Sequence, residues 1–171
     1  SNDTGDLYIK NKADDKDVIF QSDDGSGGVE TYFYLDGSTG RTRFNDSKYL
    51  VFGTDQNLFI VHDGTNSFIQ NYTSGDFYID QQVDDKDIIF RADDGSGGVT
   101  EYFRLNGGFS SPYTNFPDNS TLSIGGSNDL RIFHDGTNTS INNLTGNLQI
   151  GQYADDSDII FYSDNGSGGL A

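Results

Sequence analysis

Cysteine, methionine and tryptophan do not occur in this chain, and proline occurs only twice, at Pro112 and Pro117. Without cysteine there are no disulfides, so stability outside a cell has to come from packing or assembly. Cations are scarce: 10 Lys and Arg stand against 27 Asp and Glu, a formal charge of −17. That balance argues against nucleic acid as a partner, since its binding rests on Lys and Arg neutralising phosphates. It argues equally against attraction to an anionic membrane, and no stretch approaches the ~20 apolar residues of a membrane-spanning helix. Apolar residues make up only 33% of the 171, low for a compact domain of that length. Yet there are 13 Phe and 10 Tyr, and disordered chains are depleted in aromatics. An ordered chain with so little apolar mass implies narrow cores, completed by other copies of itself.

What is present is a repeat. The stretch DDKDVIFQSDDGSGG, from Asp14 to Gly28, returns as DDKDIIFRADDGSGG from Asp84 to Gly98. It returns again as DDSDIIFYSDNGSGG from Asp155 to Gly169, at offsets of 70 and 71 residues. Recurrence at a near-constant spacing is the mark of a repeat architecture. We divide the chain into repeat unit 1 over residues 5–74, repeat unit 2 over 75–145 and a partial third unit over 146–171. Because the third copy stops where the others continue into Val29 and Val99, the expectation is a fragment of a longer protein, cut inside a repeat.

Within each unit the pattern predicts short strands. Gly5 to Ile9 (GDLYI) alternates like a strand, as do Gly75 to Ile79 and Gly146 to Ile150. The run Val18-Ile19-Phe20 follows, then the DDGSGG turn, then Thr31 to Leu35 with its copy Thr100 to Leu105. After a loop that is two residues longer in the second unit, LVFGTDQNLFIVHDGTN (Leu50 to Asn66) matches LSIGGSNDLRIFHDGTN (Leu122 to Asn138). Phe68-Ile69 and Ser140-Ile141 supply a last strand. No window carries a sustained apolar i, i+3, i+4, i+7 pattern, and the apolar runs of three to five residues favour strands. About six or seven strands per unit, joined mainly by hairpins, make an all-β, antiparallel chain. Short strands leave edges exposed and bury little, and sharing one apolar axis among three chains relieves both problems. Leu7, Ile9, Val18, Phe20, Phe33, Leu35, Leu58 and Ile60 are the expected inner seam.

The clustered acids invite calcium, a hard cation that prefers carboxylates and turn carbonyls. Lys16 and Lys86 interrupt DDKD, however, and neither the EF-hand spacing nor the calcium β-roll nonapeptide is present. Solvated turn caps are the alternative. His62 and His134 sit in matching HDGTN segments, where Asp-Gly signals a type I′ hairpin; a turn recurs along a repeat chain in a way a catalytic site seldom does. Metal held by such histidines around a symmetry axis is the other reading. Tyr32, Tyr34 and Tyr102 fit either sugar stacking or cross-strand packing. The many Asp pairs lie beside glycines in turns, where the rigidity that catalytic groups need is least. No catalytic, cofactor-binding or metal-binding residue is assigned, and the chain is read as no enzyme and with no cofactor.

Taken together, GDLYIKNKADDKDVIFQSDDGSGG, YFYLDGSTGRTRF and NLFIVHDGTNSFIQN resemble repeats of tail-fibre and related structural proteins of tailed phages, especially marine ones. The likeness covers nearly the whole chain and weakens at Phe109 to Asn119, the loop that holds both prolines. The resemblance implies an elongated, fibrous, intertwined homotrimer in the virion, outside the cell. It also implies other tail proteins as partners and a host-surface receptor met by a distal tip. A calcium-stabilised adhesin or filament and a polysaccharide-degrading tailspike are the rival expectations.

Overall fold

A computed structural model describes residues 5–164 and 166–167 of the chain. Unit 1 opens with β1 (Val18–Asp23), β2 (Val29–Asp36) and β3 (Arg41–Arg43), and continues with β4 (Leu50–Phe52), β5 (Leu58–His62) and β6 (Ser67–Asn71). Unit 2 repeats the series as β7 (Ile88–Asp93), β8 (Val99–Asn106), β9 (Tyr113–Asn115), β10 (Thr121–Ile124), β11 (Leu130–His134) and β12 (Thr139–Asn143). Each group of three forms its own antiparallel meander, so the strands make four small sheets: β1–β3, β4–β6, β7–β9 and β10–β12. No helix occurs among the described residues. The chain is all-β, as its short β-branched and aromatic runs require.

Register follows the repeat closely. Phe20 pairs with Phe33 and Phe90 with Phe103, and in both hairpins the register shifts directly afterwards, between Phe20 and Gln21 and between Phe90 and Arg91. A bulge at the same place in both copies is a designed bend rather than a defect. The paired rings stack at 4.4 Å in each unit, and a third ring, Phe44 or Phe116, continues the ladder at 5.6 or 5.7 Å. Each such pair contributes about 0.5–1.5 kcal/mol beyond its buried area.

The β1–β2 hairpin closes through its own acid. Asp24 Oδ1 accepts the amides of Ser26 (2.7 Å) and Gly28 (2.9 Å) and the Ser26 hydroxyl (2.8 Å). Gly25 and Gly27 turn with φ of 80° and 90°, a region open to glycine without steric cost. Gly37 is needed for a different reason, close approach: a Cβ there would run into the backbone carbonyl oxygen of Lys16, and Gly107 stands in the same relation to Lys86.

Several expectations change. Residues 5–9, 75–79 and 146–150 are not strands, and no ladder pairing involves them among the described residues. Tyr8 and Tyr78 still donate to Asp6 and Asp76 two residues back. Leu7 and Ile9 of the expected seam accordingly lie outside any sheet and are exposed, and Leu35 and Ile60 are exposed within theirs. Val18, Phe20, Phe33 and Leu58 are half-buried. The run Ile159-Ile160-Phe161 of the third copy forms no strand either. Each complete unit holds six strands, the low end of the expectation.

Burial is thin. Among the described residues only Val61 and Asp36 are fully buried, at 6% and 7% exposure. The chain divides into two units, Ser1–Ile79 and Asp80–Ala171. It exposes 14102 Å², whereas two independent compact domains of half its mass would together expose roughly 10,000 Å². Many leucine, isoleucine, phenylalanine and tyrosine side chains are exposed.

Candidate functional site

The acids of the repeated stretch, first considered as metal or catalytic groups, have local structural tasks. Asp24 and its copy Asp94 cap their own turns. The amide bonds of Ser26 first, then its hydroxyl, hold the Asp24 carboxyl below the ordinary range, and the Ser96 hydroxyl leads for Asp94. Asp15 and Asp85 take left-handed φ of 55° and 58°, a conformation that aspartate tolerates better than most side chains. Asp17 reaches 20 residues forward, accepting the Gly37 amide at 3.0 Å, and Asp87 accepts that of Gly107 at 2.9 Å. The last acid of DDKD thus fastens the repeated stretch to the β2–β3 turn. Among the described residues no three His, Cys, Asp or Glu side chains converge on a point where a cation would sit.

The HDGTN segments close β5–β6 and β11–β12. Asp63 Oδ1 accepts the amides of Thr65 (2.8 Å) and Asn66 (2.7 Å), and Asp135 does the same for Thr137 and Asn138. These amide bonds hold both carboxyls below their usual range, Asn66 and Asn138 contributing most. Only Gly64 and Gly136 of the loops have positive φ, the sign pattern of a II′ turn and not of the expected I′. Each imidazole meets a hydroxyl across the strand pair, His62 Nδ1 to Ser67 Oγ and His134 Nδ1 to Thr139 Oγ1, both at 3.1 Å. The sequence reading missed these hydroxyls, which the five-residue spacing across a hairpin places opposite the rings. Among the described residues no carboxylate is hydrogen-bonded to either ring. The Tyr32 and Tyr102 hydroxyls donate to the carbonyls of Asp23 and Asp93 at 3.0 Å, and the Tyr34 ring lies 5.7 Å from the Arg43 guanidinium. These tyrosines brace their hairpins.

The junction between the two sheets of each unit is where the copies part. In unit 1 a cleft of about 500 Å³ is lined by Phe20, Phe33, Phe44, Tyr49 and Leu50. Beside it Phe59 meets Tyr49 edge-on at 5.4 Å and Tyr72 at 5.5 Å. In unit 2 the ring stack recurs as Phe90, Phe103 and Phe116, and a different cleft, about 800 Å³, is lined by Arg104, Asp118, Ser120, Thr121 and Arg131, with Thr121 and Arg131 standing where unit 1 has Tyr49 and Phe59. Arg104 grips Glu101 through two nitrogens (2.6 and 2.5 Å) and Asp87 through a third (2.9 Å). That grip raises the guanidinium above its normal value, Glu101 contributing most, and depresses both carboxyls. For Asp87 the Gly107 amide is the larger cause. The guanidinium of Arg131, a half-buried residue, forms no hydrogen bond or ion pair among the described residues. One arginine engaged by two carboxylates and one free arginine do not make a catalytic constellation.

No protein-family model, curated protein or solved structure matches this chain.

Proposed function

We propose that this chain is a shaft segment of a phage tail fibre, working as a homotrimer that holds a host-recognising tip away from the particle. One observation carries the self-assembly part: a single chain exposes roughly 4,000 Å² more than two compact domains of its mass would, and many of its large aliphatic and aromatic side chains are exposed. Standard protein interfaces take about 800 Å² from each partner, so the excess is large enough for contacts on more than one side. The extended segments 5–9 and 75–79, strand-like in sequence and unpaired in one chain, fit strands completed by a neighbouring copy. The likeness of the repeats to tail-fibre repeats supplies the virion location, the other tail proteins as neighbours and the host receptor as the distal partner. The reading assigns no chemistry to the acidic turns and no metal to the histidines. Its task is mechanical.

Sedimentation equilibrium of the folded chain tests it. The expected mass is three times 18.7 kDa; a folded monomer would overturn the proposal.

A further inference from the structure

The sheets β4–β6 and β10–β12 carry an internal control for which surface is meant to be covered. Directly opposed residues in a ladder point to the same side. One side of β4–β6 therefore carries the row Leu50, Ile60, Ile69 and the pair Phe52, Leu58. The matching side of β10–β12 carries Leu122, Ile132, Ile141 and Ile124, Leu130. These rows are unsheltered in the single chain: Ile69 is 63% and Ile141 61% exposed.

The other side of the same sheets has not been kept. Val51, Phe59 and Gln70 in unit 1 become Ser123, Arg131 and Asn142 in unit 2, and Phe68 becomes Ser140. Phe133, opposite Ser140, is the apolar residue that remains there. The two copies have thus diverged far enough for Val51, Phe59 and Phe68 of one face to be replaced by polar residues. A face that stays apolar in both, while exposed in the isolated chain, is under a packing demand that the chain itself does not meet.

We infer that this retained face is the surface on which a second copy of the same chain docks. The inference rests on the proposed self-assembly and adds where it happens. Charge picks the same partner. The rows and the histidine–hydroxyl pairs ending them (His62 with Ser67, His134 with Thr139) contain no Asp, Glu, Lys or Arg. Two chains that each carry −17 approach with least desolvation of charge at such a surface. The duplication of the two histidines then follows from their place at the rim of a duplicated docking face.

Because the chain has no cysteine, single cysteines report cleanly. Ile141→Cys places a thiol on the retained face, and Asn142→Cys places one on the polar face of the same strand; both positions are exposed in one chain. In the assembled protein, maleimide should label the Ile141→Cys variant at least ~10-fold more slowly than the Asn142→Cys variant, as occlusion protects buried groups. Denaturant should equalise the two rates. As a second measurement, Ile132→Asp should reduce the sedimenting mass while Arg131→Asp, its neighbour on the opposite face, leaves it unchanged. Equal labelling in a protein that still sediments as an oligomer would overturn the docking face and leave self-assembly standing. A monomeric wild-type chain would overturn both.

Discussion

Units 1 and 2 share strand order, bulge position and stacked phenylalanines, yet they differ at the junction between their two sheets. Unit 1 fills it with Tyr49, Phe59 and Tyr72. Unit 2 has Thr121, Arg131 and Leu144 at the same places and adds the Arg104–Glu101–Asp87 cluster, where unit 1 has Tyr34, Thr31 and Asp17. The difference shows which interactions the architecture requires. Hairpins, bulges and the acids of the DDKD, DDGSGG and HDGTN turns were retained; the filling of the junction was not. A junction that works with either aromatic rings or a polar cleft is not what holds each sheet together.

The largest expected effect tests the shared part. Gly37→Ala and Gly107→Ala each drive a methyl into a backbone carbonyl, that of Lys16 or Lys86, and backbone has little freedom to give way. Each should cost about 2 kcal/mol, read from denaturant midpoints with hydrogen exchange assigning the loss to its own unit. A loss in one unit and none in the other would break the equivalence of the two turns.

Next comes the divergent part. Phe59→Ala removes the centre of the aromatic cluster and should cost about 2 kcal/mol, less than a fully buried phenylalanine would. Arg131→Ala, at the equivalent place, should leave the midpoint unmoved. Equal losses would mean that the unit 2 cleft is as important to stability as the unit 1 cluster.

Acid should separate the units more finely. Asp36 is buried, and its carboxyl is held far below the ordinary value, chiefly by the Ser38 hydroxyl and then by Arg43 and Thr39, against the opposing effect of desolvation. Unit 2 has Asn106 there, whose Oδ1 accepts the Gly108 amide at 2.9 Å. A depressed carboxyl stabilises fully above its unfolded pKa, about 4, and that contribution is lost as pH falls from there through the folded value. Protection of the Ser38 and Thr39 amides should therefore drop on acidification below about pH 4, with that of Gly108 less affected. Asp36→Asn should remove the difference.

The smallest expected effect concerns the feature common to both units. With the turn carboxylates accepting their own amides, EDTA should leave the melting temperature unchanged. A calcium-dependent rise in melting temperature would instead mark the acidic turns as ion sites and favour an adhesin-like reading.

Much of the fold was legible in the residues. Val-Ile-Phe runs, Asp-Gly and Gly-Gly turns and the HDGTN loops mark local geometry, and local geometry is set by neighbours along the chain. The segments 5–9, 75–79 and 146–150 misled for the opposite reason. Alternation shows that a stretch can be a strand, but a strand also requires a pairing partner, and among the described residues none pairs with them. The tie from Asp17 to Gly37 was hidden as well, since 20 residues separate the two and no local pattern announces the contact.

By itself the sequence determined the repeat, the all-β character, the turn chemistry and the shortage of apolar mass, because each follows from residue type and spacing. Only the tertiary structure decided which residues share a face. It took the strand registers to show that Leu50, Ile60 and Ile69 form one row and Val51, Phe59 and Gln70 another. A strand turns alternate side chains to opposite sides, so a single residue of register decides whether an isoleucine meets solvent or a second chain.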